Sequence, residues 1–141
     1  MLLKKYILII FYTFCLSHVF SQSIPNLEEQ LKTASDEEKP NILNKLSEVY
    51  LKSSIDKSID YAEQAKKSAK KVNNINEETD AIINIGNGYE AKRDHKKAID
   101  YYKKAIAIFD EYEQPTASAY MWNKIADVNL AWNKQEDAII A

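Results

Sequence analysis

The sequence predicts an all-α protein in which antiparallel helix pairs stack in series as a solenoid. Three observations carry that expectation. Positions recur at a fixed spacing: Ser58 to Ala98 and Ala98 to Ala138 are each 40 residues apart, and Ile85-Gly86 falls over Ile125-Ala126 in the same register. Apolar residues follow i, i+3, i+4, i+7 spacing and no segment alternates with period two. Only 2 glycines and 3 prolines occur in 141 residues, so little breaks a helix. A period of this size marks a stacked array of one supersecondary unit, not a core closed around a pocket.

The chain opens with a segment outside the array. Met1-Leu2-Leu3-Lys4-Lys5 is a short basic start, and Val19 and Ser21 fit the −3 and −1 places of a signal-peptidase site. Residues 1–21 are therefore expected to be an export leader cleaved before Gln22. A retained membrane anchor is the alternative, but the apolar run Tyr6–Leu16 is shorter than the ~18–20 residues a span requires. Phe14 before Cys15 argues against a lipoprotein. Cys15 is the only cysteine and would leave with the leader, so no disulfide or thiol site is expected. Losing Lys4 and Lys5 takes 19 basic residues to 17 against 21 acidic ones, a net charge of −4. Such a chain suits the periplasm or cell surface of a bacterium and offers no broad basic face for nucleic acid.

Residues 22–35 are expected to be a leading segment, extended over 22–26 and then a brief helix from Leu27 to Ala34. Ser35 with Glu38 forms a capping box, which opens a helix carrying Ile42, Leu43, Leu46, Val49 and Tyr50. Ser53-Ser54 ends it, and a helix from about Ile55 to Val72 completes repeat 1, residues 36–74. Asn73-Asn74 marks the next break. Helix Glu77–Lys92, the turn at Arg93-Asp94 and helix His95–Tyr112 make repeat 2, residues 75–114. Pro115 sits well at a helix start. Helix Thr116–Trp132, a turn at Asn133-Lys134 and the beginning of a second helix make a truncated repeat 3, residues 115–141.

Small residues mark where paired helices must approach. Ser47, Gly86 and Ala126 share one column, and Ser58, Ala98 and Ala138 share another. Leu43, Ile82 and Trp122 form a bulky column beside them, and Tyr50 and Tyr89 a ring column. Glycine inside a helix costs about 1 kcal/mol against alanine, so Gly86 is expected to admit a close partner.

The stretch Ile85-Gly86-Asn87-Gly88-Tyr89, followed by Asp94 to Ala105, resembles the core of the tetratricopeptide repeat. It supplies the small residue, the aromatic three on, Ala98 twelve on, then Tyr102 and Ala105 of the second helix. Repeat 1 departs with Ser58, with Ala62 for the aromatic, and with a turn read as one residue shorter. Repeat 3 has Asn129 where Tyr is usual. The resemblance covers about residues 36–141 and implies a right-handed superhelix of helix pairs. The period exceeds the family's usual ~34 residues, and longer second helices are the expected reason. Long repeats behind an export signal also look like the amino-terminal sensor arrays of bacterial signalling proteins, which precede a kinase, cyclase or DNA-binding output. Because Ala141 falls inside an expected helix, the chain reads as a fragment; the alternative is a short protein that dimerises over its open end.

No catalytic or metal-binding pattern is legible, and no cofactor is expected. His95 occupies a tolerant turn position without a motif-placed partner. Gly86-Asn87-Gly88 lacks the strand and further glycine of a phosphate loop, and Asp110, Glu111 and Glu113 read as an ordinary acidic helix end. Tyr101, Tyr102, Phe109 and Tyr112 follow helical spacing and are expected in the core. In this architecture the first helix of each pair lines a concave groove, which places Asn44, Glu48 and Leu51, Ile83, Asn87 and Glu90, and Asn123, Asp127 and Leu130 there. Asparagine can bond a peptide's amides from both ends; plain solvent exposure is the competing explanation. The expected function is a non-catalytic exported scaffold for a protein or peptide partner, or for a second copy. The alternative is a sensory or dimerisation region of a signal-transduction protein. Membrane contact would need a retained leader or a downstream span.

Overall fold

The computed structural model describes residues 23–140, with side chains from Ile24 to Asn133. The expected leader, Cys15 and Ala141 lie outside the described residues, as does the side chain of Ala138. Among the described residues every regular element is helical: α1 (Ser23–Thr33), α2 (Lys39–Tyr50), α3 (Ile55–Lys71), α4 (Ile75–Ala91), α5 (His95–Glu111) and α6 (Pro115–Ile140). Each packs on its neighbour in the chain, and α2 also reaches α4. That last contact joins one pair to the next. The fold is an all-α, tetratricopeptide-like solenoid.

Local chemistry explains the boundaries. The segment expected to be extended at 22–26 is already helical from Ser23, because proline is tolerated in a first helical turn, where its missing N–H has no partner to lose. The capping box is present: Ser35 N–H donates to the Glu38 carboxylate at 3.0 Å and Glu38 N–H to Ser35 Oγ at 3.4 Å. Three later turns share one device. Asn73, Arg93 and Glu113 have φ of 54°, 61° and 54°. The next N–H in each returns to a helix carbonyl five residues back: Asn74 to Ala69 at 3.0 Å, Asp94 to Tyr89 at 2.9 Å, Gln114 to Phe109 at 2.8 Å. A left-handed residue after the helix makes this reversal possible in three residues.

The first turn differs, and corrects the sequence reading. No left-handed residue serves it; Ser53 and Ser54 N–H both donate to Tyr50 O, at 3.0 and 2.7 Å. It runs Leu51–Ser54, one residue longer than Lys92–Asp94, and the Ser47–Ser58 spacing shrinks because α2 stops early. The long period is likewise shared between both helices of a pair. α4 and α5 each have 17 residues, so the extra length is not confined to second helices.

The core follows the small-residue columns. Ser47 Oγ and Ser58 Oγ lie 3.2 Å apart and buried where α2 meets α3. A Cβ built on Gly86 would lie 2.6 Å from Tyr102 Cε1, and one on Gly88 would lie 2.4 Å from Ile59 Cγ1. Gly86 thus admits its own pair's second helix, and Gly88 admits the second helix of the pair before. Leu43, Tyr50, Ile82, Ala98, Tyr102 and Ala105 are buried as well, with Tyr89 packed beside them.

Repeat 3 departs from expectation. α6 runs through Asn133-Lys134 without a turn, to Ile140. Its second helix is therefore not folded back, and the columns meant to receive it stand open: Trp122 is 52% exposed and Ala126 is exposed. Met121, Ile125 and Val128, on the face toward α5, are buried instead. Tyr112, expected in the core, is 51% exposed.

Candidate protein-binding surface

The first helices α2, α4 and α6 carry the positions expected to line the groove. The structure divides them into engaged and free. Asn44 is only 4% exposed. Its Nδ2 donates to Glu77 O at 3.0 Å and Glu77 Oε2 at 2.8 Å, and Asn84 Nδ2 donates to Asn44 Oδ1 at 3.4 Å. Asn41 Nδ2 adds a bond to Glu77 Oε1 at 2.8 Å. Asn44 is therefore a joint between α2 and α4 and is unavailable to a partner. A buried amide left without these bonds would cost about 1–3 kcal/mol.

Asn87 and Glu90 form a second joint. Tyr102 Oη donates to Asn87 Oδ1 at 2.8 Å and also bonds Glu90. Lys124 Nζ reaches Asn87 Oδ1 at 2.9 Å and Glu90 at 3.3 Å. Burial pushes the Tyr102 phenol above its usual range, with the Glu90 acceptor adding to it, so the proton stays on tyrosine. Three helices, α4, α5 and α6, meet here. Ile83 is partly buried against the core.

Glu48, Asn123 and Asp127 are exposed, as are Leu130 and Asp80. Asp80 was passed over in the sequence. Partial burial raises its carboxyl above the usual range, and Glu77 and Glu48 raise it further. Asp80 also stands in the wall of a cleft of about 180 Å³, with Ile75, Asn76, Thr79, Ile108, Phe109, Tyr112 and Gln114. The missed residues Asn41, Glu77, Asn84 and Lys124 carried a faint signal. Asn44, Asn84 and Lys124 are spaced by 40 residues, and polar residues recurring at a period inside an array are good candidates for repeat-to-repeat bonds.

The described residues hold no group of three or more His, Cys, Asp or Glu able to bind a metal. No described helix is long and apolar enough to cross a membrane. Residues 24–141 match the family described as soluble NSF attachment protein, SNAP. The chain belongs to the SNAP family. No curated protein matches it. SNAP-type domains are tetratricopeptide-like helical arrays that act as adaptors, so the likeness drawn from residues 85–105 holds for the repeat architecture, while the family matched is SNAP. This SNAP-family array is a helical-repeat interaction scaffold.

Proposed function

We propose that the chain is exported and captures a protein partner along the face of α2, α4 and α6, without catalysis. The carrying observation is that Glu48, Asn123 and Asp127 remain exposed at groove positions while Asn44, Asn87 and Glu90 hold the helices together. A rigid frame with free polar groups costs a partner little ordering entropy. The family's name, an attachment protein, supports the same reading. Export rests on the leader pattern of residues 1–21.

Affinity capture from an envelope extract tests the surface. Wild-type chain and a convex-side variant (Lys67→Ala with Lys103→Ala) should retain one common partner. A groove variant (Glu48→Ala, Asn123→Ala, Asp127→Ala) should lose it with helicity unchanged by circular dichroism. Retention by the groove variant would remove the surface assignment. Export is tested by the mass of the purified amino terminus: a chain starting at Gln22 supports it, and an intact Met1 in the cytosolic fraction overturns it.

A further inference from the structure

The inter-repeat edge is chemically different in its two occurrences. Upstream, where the start of α2 meets the end of α3, lysines neutralise the acids. Lys71 Nζ lies 2.6 Å from Asp36 Oδ2, Lys39 Nζ 3.2 Å from Asp36 Oδ1, and Lys70 Nζ 3.3 Å from Glu78 on the following helix. Forty residues downstream the places of Lys39, Lys70 and Lys71 belong to Thr79, Asp110 and Glu111. The cations that close the first edge are replaced at the second by a neutral residue and two acids. Their partners Asp36 and Glu78 are replaced by Asn76 and Ser118, so the ion pairs of the first edge have no equivalent at the second.

That second edge is also where the cleft opens. Its walls are apolar at Ile75, Ile108, Phe109 and Tyr112, and Asp80 supplies the carboxylate. The charged neighbours acting on Asp80 are both acids, Glu77 and Glu48. Glu77 is held by the amides of Asn41 and Asn44, which leave its charge in place. An apolar slot with a carboxylate in its wall and two further acids beside it fits one kind of group: a cation carried on an aliphatic stem.

Deepening the scaffold reading, on which it rests, we propose that the cleft between the start of α4 and the end of α5 receives a lysine or arginine side chain of a partner polypeptide. The stem lies against Ile75, Ile108 and Phe109, and the cationic head meets Asp80. The partner segment is basic, and its anchor meets an acid, Asp80, that has no counterpart one repeat upstream, where Pro40 stands.

Fluorescence anisotropy of the full chain with a fluorescein-labelled heptalysine peptide tests this, at about 0.15 M ionic strength, where the Debye length is about 8 Å, and with a heptaglutamine peptide as control. Heptalysine should bind and heptaglutamine should not. Asp80→Asn should weaken binding about tenfold, the loss expected for one charge-assisted pair. Glu111→Lys, which turns an acid at the end of α5 into a cation, should weaken it at least as much. Glu29→Gln, an equal charge change on α1, should leave affinity within about twofold, since exposed charges at long range are screened. Equal losses from Asp80→Asn and Glu29→Gln, or no heptalysine binding, would overturn the proposal. Partner capture that survives Asp80→Asn but not the groove variant would count against this cleft alone and leave the scaffold reading intact.

Discussion

Gly86 sets two costs against each other. Alanine there would gain about 1 kcal/mol of helix propensity, yet its Cβ would meet the Tyr102 ring at 2.6 and 2.8 Å. Tyr102 is fully buried and its hydroxyl is tied to Asn87 and Glu90, so the ring has nowhere to go. Overpacking of this kind costs about 1–3 kcal/mol, and breaking the Tyr102 bonds adds about 1 kcal/mol. Gly86→Ala should therefore lower stability by about 1–3 kcal/mol in urea melts. Paired with Tyr102→Leu, it should cost less than the two single changes summed, because the clash is removed. Additive losses would show that the contact is not the reason for glycine. Asp80 is an opposite case, a residue whose ionised form the fold disfavours. Its folded pKa is raised, so its destabilising contribution is present at neutral pH and fades as pH falls through that raised value. Asp80→Asn should raise the melting temperature slightly at pH 7. The gain should shrink in acid and vanish once the wild-type carboxyl is protonated in both states. A gain that persists undiminished in acid would rule out this titration as its source.

At the scale of helices, a ring pair recurs from repeat to repeat. Tyr50 stacks on Tyr61 with centroids 5.3 Å apart, and Tyr89 on Tyr101 at 5.6 Å. Lys57 and Lys97 each cover the first ring at 4.9 Å. The second ring then reaches back to the preceding unit: Tyr61 Oη to Glu28 at 3.4 Å, Tyr101 Oη to Glu63 at 3.2 Å. Each pair thus clasps its predecessor through a phenol and a carboxylate. For α1 this clasp, with Tyr50 Oη to Glu28 at 2.8 Å, joins the packing of Leu27 and Leu31 on the cluster of Ile42, Leu46 and Tyr50. Removing one ring of a stacked pair costs about 0.5–1.5 kcal/mol beyond lost area. Tyr61→Ala should therefore speed amide hydrogen exchange across α1 and leave α5 and α6 nearly unchanged. A uniform acceleration would mean the chain opens as one unit. The sequence foretold Tyr50 and Tyr89 and placed Tyr101 in the core, but not the ring pairs, because Tyr61 and Tyr101 are only partly buried and helical spacing does not say which ring meets which. Helix existence and order were legible from periodicity and turn residues. The groove was legible only in part: Asn44, Asn87 and Glu90 look like free polar positions until their cross-repeat partners are seen. The run of α6 past Asn133 was not legible either, since a turn signature reverses a chain only when a second helix finds a face to cover.

Taken as a whole molecule, a solenoid derives its stability from neighbour contacts, so its ends are weaker than its middle. α2 to α5 are each packed on both sides along the chain, whereas α6 rests chiefly on α5 and leaves Trp122, Tyr120 and Leu130 more than half exposed. Both tryptophans of the chain, Trp122 and Trp132, lie on α6. Indole emission therefore reports on that helix, while far-ultraviolet circular dichroism averages over all six. Unfolding in urea should begin at the terminal helices α1 and α6, which can detach without opening a gap between two packed pairs, and of these only α6 carries tryptophan. The emission midpoint should fall at a lower urea concentration than the dichroism midpoint, with a shallower slope, since the slope follows the surface exposed. Trp122→Leu should leave the dichroism midpoint nearly in place, as an indole more than half in water adds little to the core. Emission and dichroism curves that superimpose would show that α6 melts together with the array, and that its single packed face binds it as firmly as two bind the helices before it.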